Sequence, residues 1–174
     1  VLDQDGHPHI AYHNATSSSL KYAYFDGTYW SNMTIDDSDA VGTHASIAVS
    51  SNGNPHISYR DVTNENLKYA YFDGSSWIDM TLDGDPYTVG EYTSIALDAS
   101  NRPHITYYNQ TSADLMYTFY DGDSWEKTMV SGTNSVGKHA SLYLDDDGYG
   151  HISFFNQASN DRIDSHYDGQ VWKS

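Results

Sequence analysis

A proline-or-glycine, histidine, isoleucine step occurs four times in this chain, at His9, His56, His104 and His151, spaced 47, 48 and 47 residues apart. Each copy is followed by Asp-Gly-x-x-Trp, and the tryptophans Trp30, Trp77, Trp125 and Trp172 keep the same three intervals. Two unrelated landmarks on one period mean that a whole structural unit repeats, and a unit of that length admits few architectures.

Within a unit the chain reads as four strands. The first is His44-Ala-Ser-Ile-Ala-Val-Ser50, matched by Tyr92 to Asp98 and His139 to Asp145, with only Val1-Leu2-Asp3 of it in the first unit. A turn follows at Asp5-Gly6, Asn52-Gly53, Ser100-Asn101 and Asp147-Gly148, dipeptides that tolerate the positive φ of tight hairpins. The second strand begins at each histidine, and a polar loop bearing Asn14, Asp61, Asn109 or Asn156 is expected after it. The third runs Leu20 to Phe25, Leu67 to Phe72, Leu115 to Tyr120 and Arg162 to Tyr167, and Asp-Gly turns it into a fourth that starts at the tryptophan. No segment sustains a helical apolar period. The second strand carries sizeable groups on both faces, as a sheet sandwiched between two neighbours requires. The fold expected is all-β, a β-propeller of four-stranded antiparallel blades, with blades at roughly 1–40, 41–88, 89–135 and 136–174 forming a single domain. A stacked β-solenoid is the rival, but its coils are shorter and its strands parallel.

Composition agrees and narrows the partners. Sixteen tyrosines, five phenylalanines and four tryptophans supply core material where long aliphatic runs are missing. A formal charge of −16 repels phosphate backbones, which argues against nucleic acid or an anionic membrane as partner. No apolar stretch reaches the length of a membrane-spanning helix. The absence of cysteine removes disulfides and thiolate metal sites. Val1 falls in the middle of a unit, so any export signal would lie upstream, and a secreted or cell-surface location is expected.

The turns Asp26-Gly-Thr-Tyr-Trp30, Asp73-Gly-Ser-Ser-Trp77, Asp121-Gly-Asp-Ser-Trp125 and Asp168-Gly-Gln-Val-Trp172 resemble a shortened Asp-box. That motif marks the sialidase-like (BNR-repeat) propellers, where it joins the third and fourth strands as a structural corner. This chain lacks the residue between Asp and Gly and the usual leading Ser. The resemblance covers the whole repeat and implies the fold rather than an activity, with the four turns as scaffold. Sialidases grip a carboxylate with three arginines and use a tyrosine–glutamate pair. Here the arginines are Arg60, Arg102 and Arg162 alone, and Arg102 lies in a turn at the opposite end of its blade from Arg60. A non-catalytic member is therefore expected, with no catalytic residues.

Other chemistries find little support. Among 24 acidic residues some pair will stand at glycosidase spacing by accident. No nucleophile elbow, phosphate loop or zinc-protease motif occurs. The four repeat histidines, carried round an axis, should stand on the order of 10 Å apart, too far to share a zinc ion that holds nitrogens at about 2.0–2.1 Å. They are expected instead to hydrogen-bond the adjacent blade. The acidic turns Asp3-Gln-Asp-Gly6 and Asp145-Asp-Asp-Gly148 offer calcium some oxygens, but full calcium loops carry more, so hairpin turns are expected and no cofactor or metal.

Binding residues are sought where the repeat varies. Val41-Gly-Thr-His44, Val89-Gly-Glu-Tyr92 and Val136-Gly-Lys-His139 open the innermost strand and should ring the channel mouth. Beside them fall Tyr12, His13, Arg60, Asp61, Tyr108, Asn109, Phe155 and Asn156, a mixture of aromatic faces and amides suited to sugars. The bland reading of these positions is core aromatics followed by Asx turns. The function expected is a binding module for glycan or a surface protein, with repeated sites. A structural or assembly module is the alternative, and a glycoside hydrolase the third reading. Closure stays open between a four-bladed ring, a homo-oligomer that completes a larger ring, and an excerpt of a longer propeller.

Overall fold

The computed structural model describes residues 1–132 and 136–174, and every element in it is a strand. The first sheet is β1 (His9–Asn14), β2 (Ser19–Phe25) and β3 (Trp30–Asp36). The second is β4 (Val41–Val49), β5 (Pro55–Asp61), β6 (Asn66–Phe72) and β7 (Trp77–Asp83). The third is β8 (Glu91–Leu97), β9 (Pro103–Asn109), β10 (Asp114–Tyr120) and β11 (Trp125–Ser131). The fourth is β12 (Val136–Leu144), β13 (Gly150–Asn156), β14 (Asp161–Tyr167) and β15 (Trp172–Lys173). Each sheet is an antiparallel meander in chain order. In the first, an isolated bridge from Leu2 to Pro8 stands where the innermost strand would run. These are four propeller blades, and the innermost strands β4, β8 and β12 pack side by side, with β1 against β4. The third-blade boundary expected at 135 lies outside the described residues.

The Asp-Gly turns are the corners expected of them. In all four the aspartate Oδ1 accepts the backbone N–H groups two and three residues on, at 2.7–2.9 Å, for Asp26, Asp73, Asp121 and Asp168. Those bonds hold the carboxyls of Asp26, Asp73 and Asp121 below their usual range, and at Asp168 the Lys173 ammonium leads and the turn bonds add to it. The acidic first turns work alike. Asp3 accepts from Asp5 and His7, Asp98 from Ser100 and Arg102, and Asp145 from Asp147 and Tyr149.

The histidines correct one expectation. Among the described residues their hydrogen-bond partners lie in their own blade and not in the adjacent one. His9 and His56 place Nδ1 2.5 Å from the hydroxyls of Tyr22 and Tyr69, and His104 Nδ1 is hydrogen-bonded to the Tyr117 hydroxyl, each tyrosine lying on the next strand of the same blade. Burial drives the His56 imidazole down to about 4 and raises the Tyr69 phenol, so a protonated hydroxyl donates to a neutral ring. It is the tyrosine that crosses to the neighbour. Tyr22, Tyr69 and Tyr117 meet Trp77, Trp125 and Trp172 of the following blade edge-on, with centroids 5.3, 5.2 and 5.0 Å apart. The joint is made three times, because the fourth blade has Asp164 in the tyrosine's register position.

Two further devices lock the blades. At the axis Gly42, Gly90 and Gly137 have φ near +90°, and a Cβ on them would sit 2.7–2.8 Å from the preceding blade's Leu20, Asn66 and Leu115. Only glycine fits so close an approach in that conformation. Further out, Tyr59 donates to Asp36 at 2.8 Å and Tyr107 to Asp83 at 2.7 Å across the first two interfaces. Lys68 also reaches Asp36, at 2.5 Å. Burial alone would raise the Asp36 carboxyl, but Lys68, Ser38 and Tyr59 outweigh it and hold it down to about 2. At the third interface Phe154 and Ser131 stand in place of tyrosine and aspartate, so the phenol and the carboxylate that would need each other are both replaced.

The second strands of the two inner blades are buried on both faces, β9 throughout, whereas β1 and β13 alternate. The outer blades thus expose one face each. The buried histidines carry a pH consequence. His56, with its folded pKa below that of the free imidazole, binds a proton more readily when the chain unfolds. Its contribution is complete above about pH 6.5 and is lost as pH falls towards 4. Urea denaturation should show stability falling by about 2–3 kcal/mol from this residue between pH 7 and 4.5. A flat profile across that window would contradict a buried neutral imidazole.

Candidate functional site

The propeller has two chemically distinct ends, and groups of side chains gather at each. At the end where the innermost strands begin, His44, Tyr92 and His139 form one row. Their ring centroids lie 4.8 Å and 4.4 Å apart in sequence order. All three have positive φ, between 52° and 55°, inside irregular stretches of strand pairing. A left-handed backbone costs a non-glycine residue about 1–2 kcal/mol, so the surrounding fold must impose it. The same backbone conformation at the same place in three blades brings the equivalent side chains into one row. The His44 imidazole is held below its usual range, first by desolvation and then by Arg60 and His139, with Glu91 opposing.

The other expected residues divide around this row. Arg60 Nη1 pairs with Glu91 of the next blade, while its Nε and Thr43 Oγ1 directly opposite are buried without a partner among the described residues. Lys138 Nζ stands 5.4 Å over the Tyr108 ring, and Tyr108 meets Tyr92 at 6.4 Å. Phe155 lines a cleft of about 280 Å³ with His139 and Arg162. His13 Nδ1 is fixed 2.8 Å from the Val41 carbonyl. Tyr12 is partly exposed on the open face of the first blade. Asp61, Asn109 and Asn156 end their strands rather than open loops. Their side-chain oxygens accept N–H groups from Asn64, Ser112, and Ala158 with Ser159, as Asx turns do. Those acceptors are committed to the scaffold. The three arginines stay apart as counting suggests: Arg102 binds Asp98 and the Asp121 carbonyl at the other end of the blade.

That other end holds what the sequence did not suggest. Between the third and fourth blades lies a cleft of about 610 Å³. One wall is His104, Phe119 and Met129, the other Tyr149, Tyr167 and Trp172, with Glu126, Lys127 and Gln170 adding polar groups. An equivalent cleft of about 270 Å³ lies between the first and second blades, where His9, Tyr24 and Met33 face Asn54, Phe72 and Trp77. Both are by-products of the His–Tyr–Trp joint, which holds the outer strands apart. The larger one falls in the size range of small-ligand sites. Asp3, Asp5 and His7 are the described residues that bring three potential metal ligands within 4.8 Å of one another, and the Asp3 oxygens there already bind the hairpin.

Neither a protein-family profile nor a curated protein matches the chain. Among solved structures, a fucose lectin from Kordia zhangzhouensis in complex with methyl-fucoside superposes with a TM-score of 0.52. It is 24% identical over 74% of this chain and 95% of the lectin. An ulvan lyase, described as a new family of polysaccharide lyase, gives 0.64 at 13% identity over 99% of this chain and 56% of the lyase. A Hadza microbial sialidase gives 0.61 at 10% identity, covering 90% and 40%. The chain thus spans about half or less of the two enzymes. At such identities the likeness is one of fold, and the fold is shared by lectins and enzymes alike.

The axial geometry can be tested through its glycines. Gly90→Ala places a Cβ 2.8 Å from the Asn66 carbonyl oxygen at φ +88. Chemical denaturation should show a loss of about 2–4 kcal/mol. A change within about 0.5 kcal/mol, the usual range for a surface site, would contradict the close approach.

Proposed function

We propose that this chain is a non-catalytic β-propeller module that binds carbohydrate in clefts between its blades. The observation that carries this reading is the cleft between the third and fourth blades. It sets Phe119, Tyr149, Tyr167 and Trp172 beside Glu126, Lys127 and Gln170 in one concave space. Sugars present apolar C–H faces, which stack on aromatic rings, and hydroxyls, which need directed polar partners. The equivalent cleft between the first two blades supports repeated binding, in which weak sites strengthen one another on a multivalent glycan. Lectin neighbours of the same fold support the class of ligand. The scattered arginines and the engagement of the repeated aspartates in turns support the absence of catalysis. Glycan display suits a secreted or surface setting.

Glycan-array screening followed by titration calorimetry tests this. Tyr149 and Met129 are 40% and 53% exposed, so their loss should spare the fold. Tyr149→Ala is expected to weaken binding about tenfold or more, corresponding to the stacking contribution of one ring. A silent array, or binding untouched by both Tyr149→Ala and Met129→Ala, would sink the carbohydrate reading. A structural or assembly role is the second reading, and the uncovered apolar face of the first blade favours it.

A further inference from the structure

Each blade has an incoming face, which receives the preceding blade, and an outgoing face, which meets the next. The incoming faces of the last three blades carry Ile57, Ile105 and Ile152, none more than 1% exposed. Beside these stand Tyr59, Tyr107 and Phe154, at most 2% exposed, and the joint tryptophans. The first blade carries the same set in the same register: Ile10, Tyr12 and Trp30, at 44%, 37% and 54% exposure. Lys21 occupies the position of Lys68, and its ammonium now rests on Thr34 of its own blade.

The polar members of this set vary with what they meet. Where the incoming face carries Tyr59 and Lys68, the preceding blade's outer strand ends in Asp36, which takes both. Where it carries Tyr107, with Met116 in the register position of Lys68, the strand ends in Asp83, which takes Tyr107 and, from the outer strand, Lys127. Where it carries Phe154, with Ile163 in the register position of Lys68, the strand ends in Ser131. The first blade's Tyr12 and Lys21 follow the acid-matched pattern. On the outgoing side, the fully buried Leu20, Leu67 and Leu115 give way to exposed Arg162, and the joint tyrosine to exposed Asp164. The fourth blade therefore cannot supply the leucine and tyrosine this surface fits.

We propose that the open face of the first blade docks a further blade of this same repeat. That blade presents the leucine and joint tyrosine on its third strand. Its outer strand ends in a carboxylate that accepts from the Tyr12 hydroxyl and the Lys21 ammonium. It is distinct from the fourth blade of a second copy of the chain. The surface is specified by residues already seen at work in the occupied interfaces, and it is independent of glycan binding.

A second copy of residues 41–95 joined ahead of Val1 tests this, since Ile95 then continues into Val1 in the register of Ala96. In hydroxyl-radical footprinting read by mass spectrometry, Trp30 should lose at least about fivefold in reactivity against the unextended chain. Replacing the acid of the added copy (Asp83→Ser) should lower the melting temperature, and Tyr12→Phe should then change it little further. A Trp30 as reactive as before, or an Asp83→Ser change without effect, would overturn the proposal. Sedimentation of the unextended chain should show a monomer. A dimer abolished by Trp30→Ser would instead make a second copy the occupant and overturn the assignment.

Discussion

The contact on which the structure depends is the one between a buried tyrosine and the tryptophan of the next blade. Its hydroxyl is spent on a histidine within its own blade, which frees the ring to meet the neighbour edge-on. An unpaired phenol at that depth would be costly, and so would a charged imidazole. Each resolves the other, because burial favours the neutral histidine that can accept and the protonated tyrosine that donates. The blades are thereby joined through aromatic area at every interface, with the ion pairs Lys68–Asp36, Arg60–Glu91 and Lys127–Asp83 added across the first two. Joining through aromatic area suits a chain of net charge −16 with only eight lysines and arginines.

The same contact shapes the candidate site. By holding the Asp-Gly turn of one blade against the outer strands of its predecessor, it leaves a ring-lined cleft beside Trp77 and beside Trp172. Where the fourth blade offers Tyr149 in place of Asn54 the space between the walls is larger. The binding surface is thus a property of neighbouring blades, and changes in turn residues alter it without disturbing the joint.

Much of the fold was legible because the period is strict and the turn chemistry local. Asp-Gly, Asn-Gly and the bulky groups on both faces of β5 and β9 declare themselves within a few residues. The axial row was legible too, since Val-Gly-x-His and Val-Gly-x-Tyr recur and glycine marks the close approach. What could not be read was assembled from distant positions. Tyr69 and Trp125 come from different units, as do Phe119 and Tyr149, and no local pattern announces their meeting. The histidines were rightly placed in the scaffold, but their partner was thirteen residues away on the same sheet rather than across the interface. Asp61, Asn109 and Asn156 combine residue types that serve sugars and turns equally, and their own backbone claimed them first.

The most direct test of the joint is a double-mutant cycle on Tyr69→Phe and Trp125→Phe, read as unfolding free energy. Removing the hydroxyl loosens the anchor that sets the ring, so the two changes should couple by about 0.5–1.5 kcal/mol, the range for a specific aromatic pair. Additivity within about 0.3 kcal/mol would show that the histidine bond and the tryptophan contact act independently, and the joint described here would be two unrelated contacts.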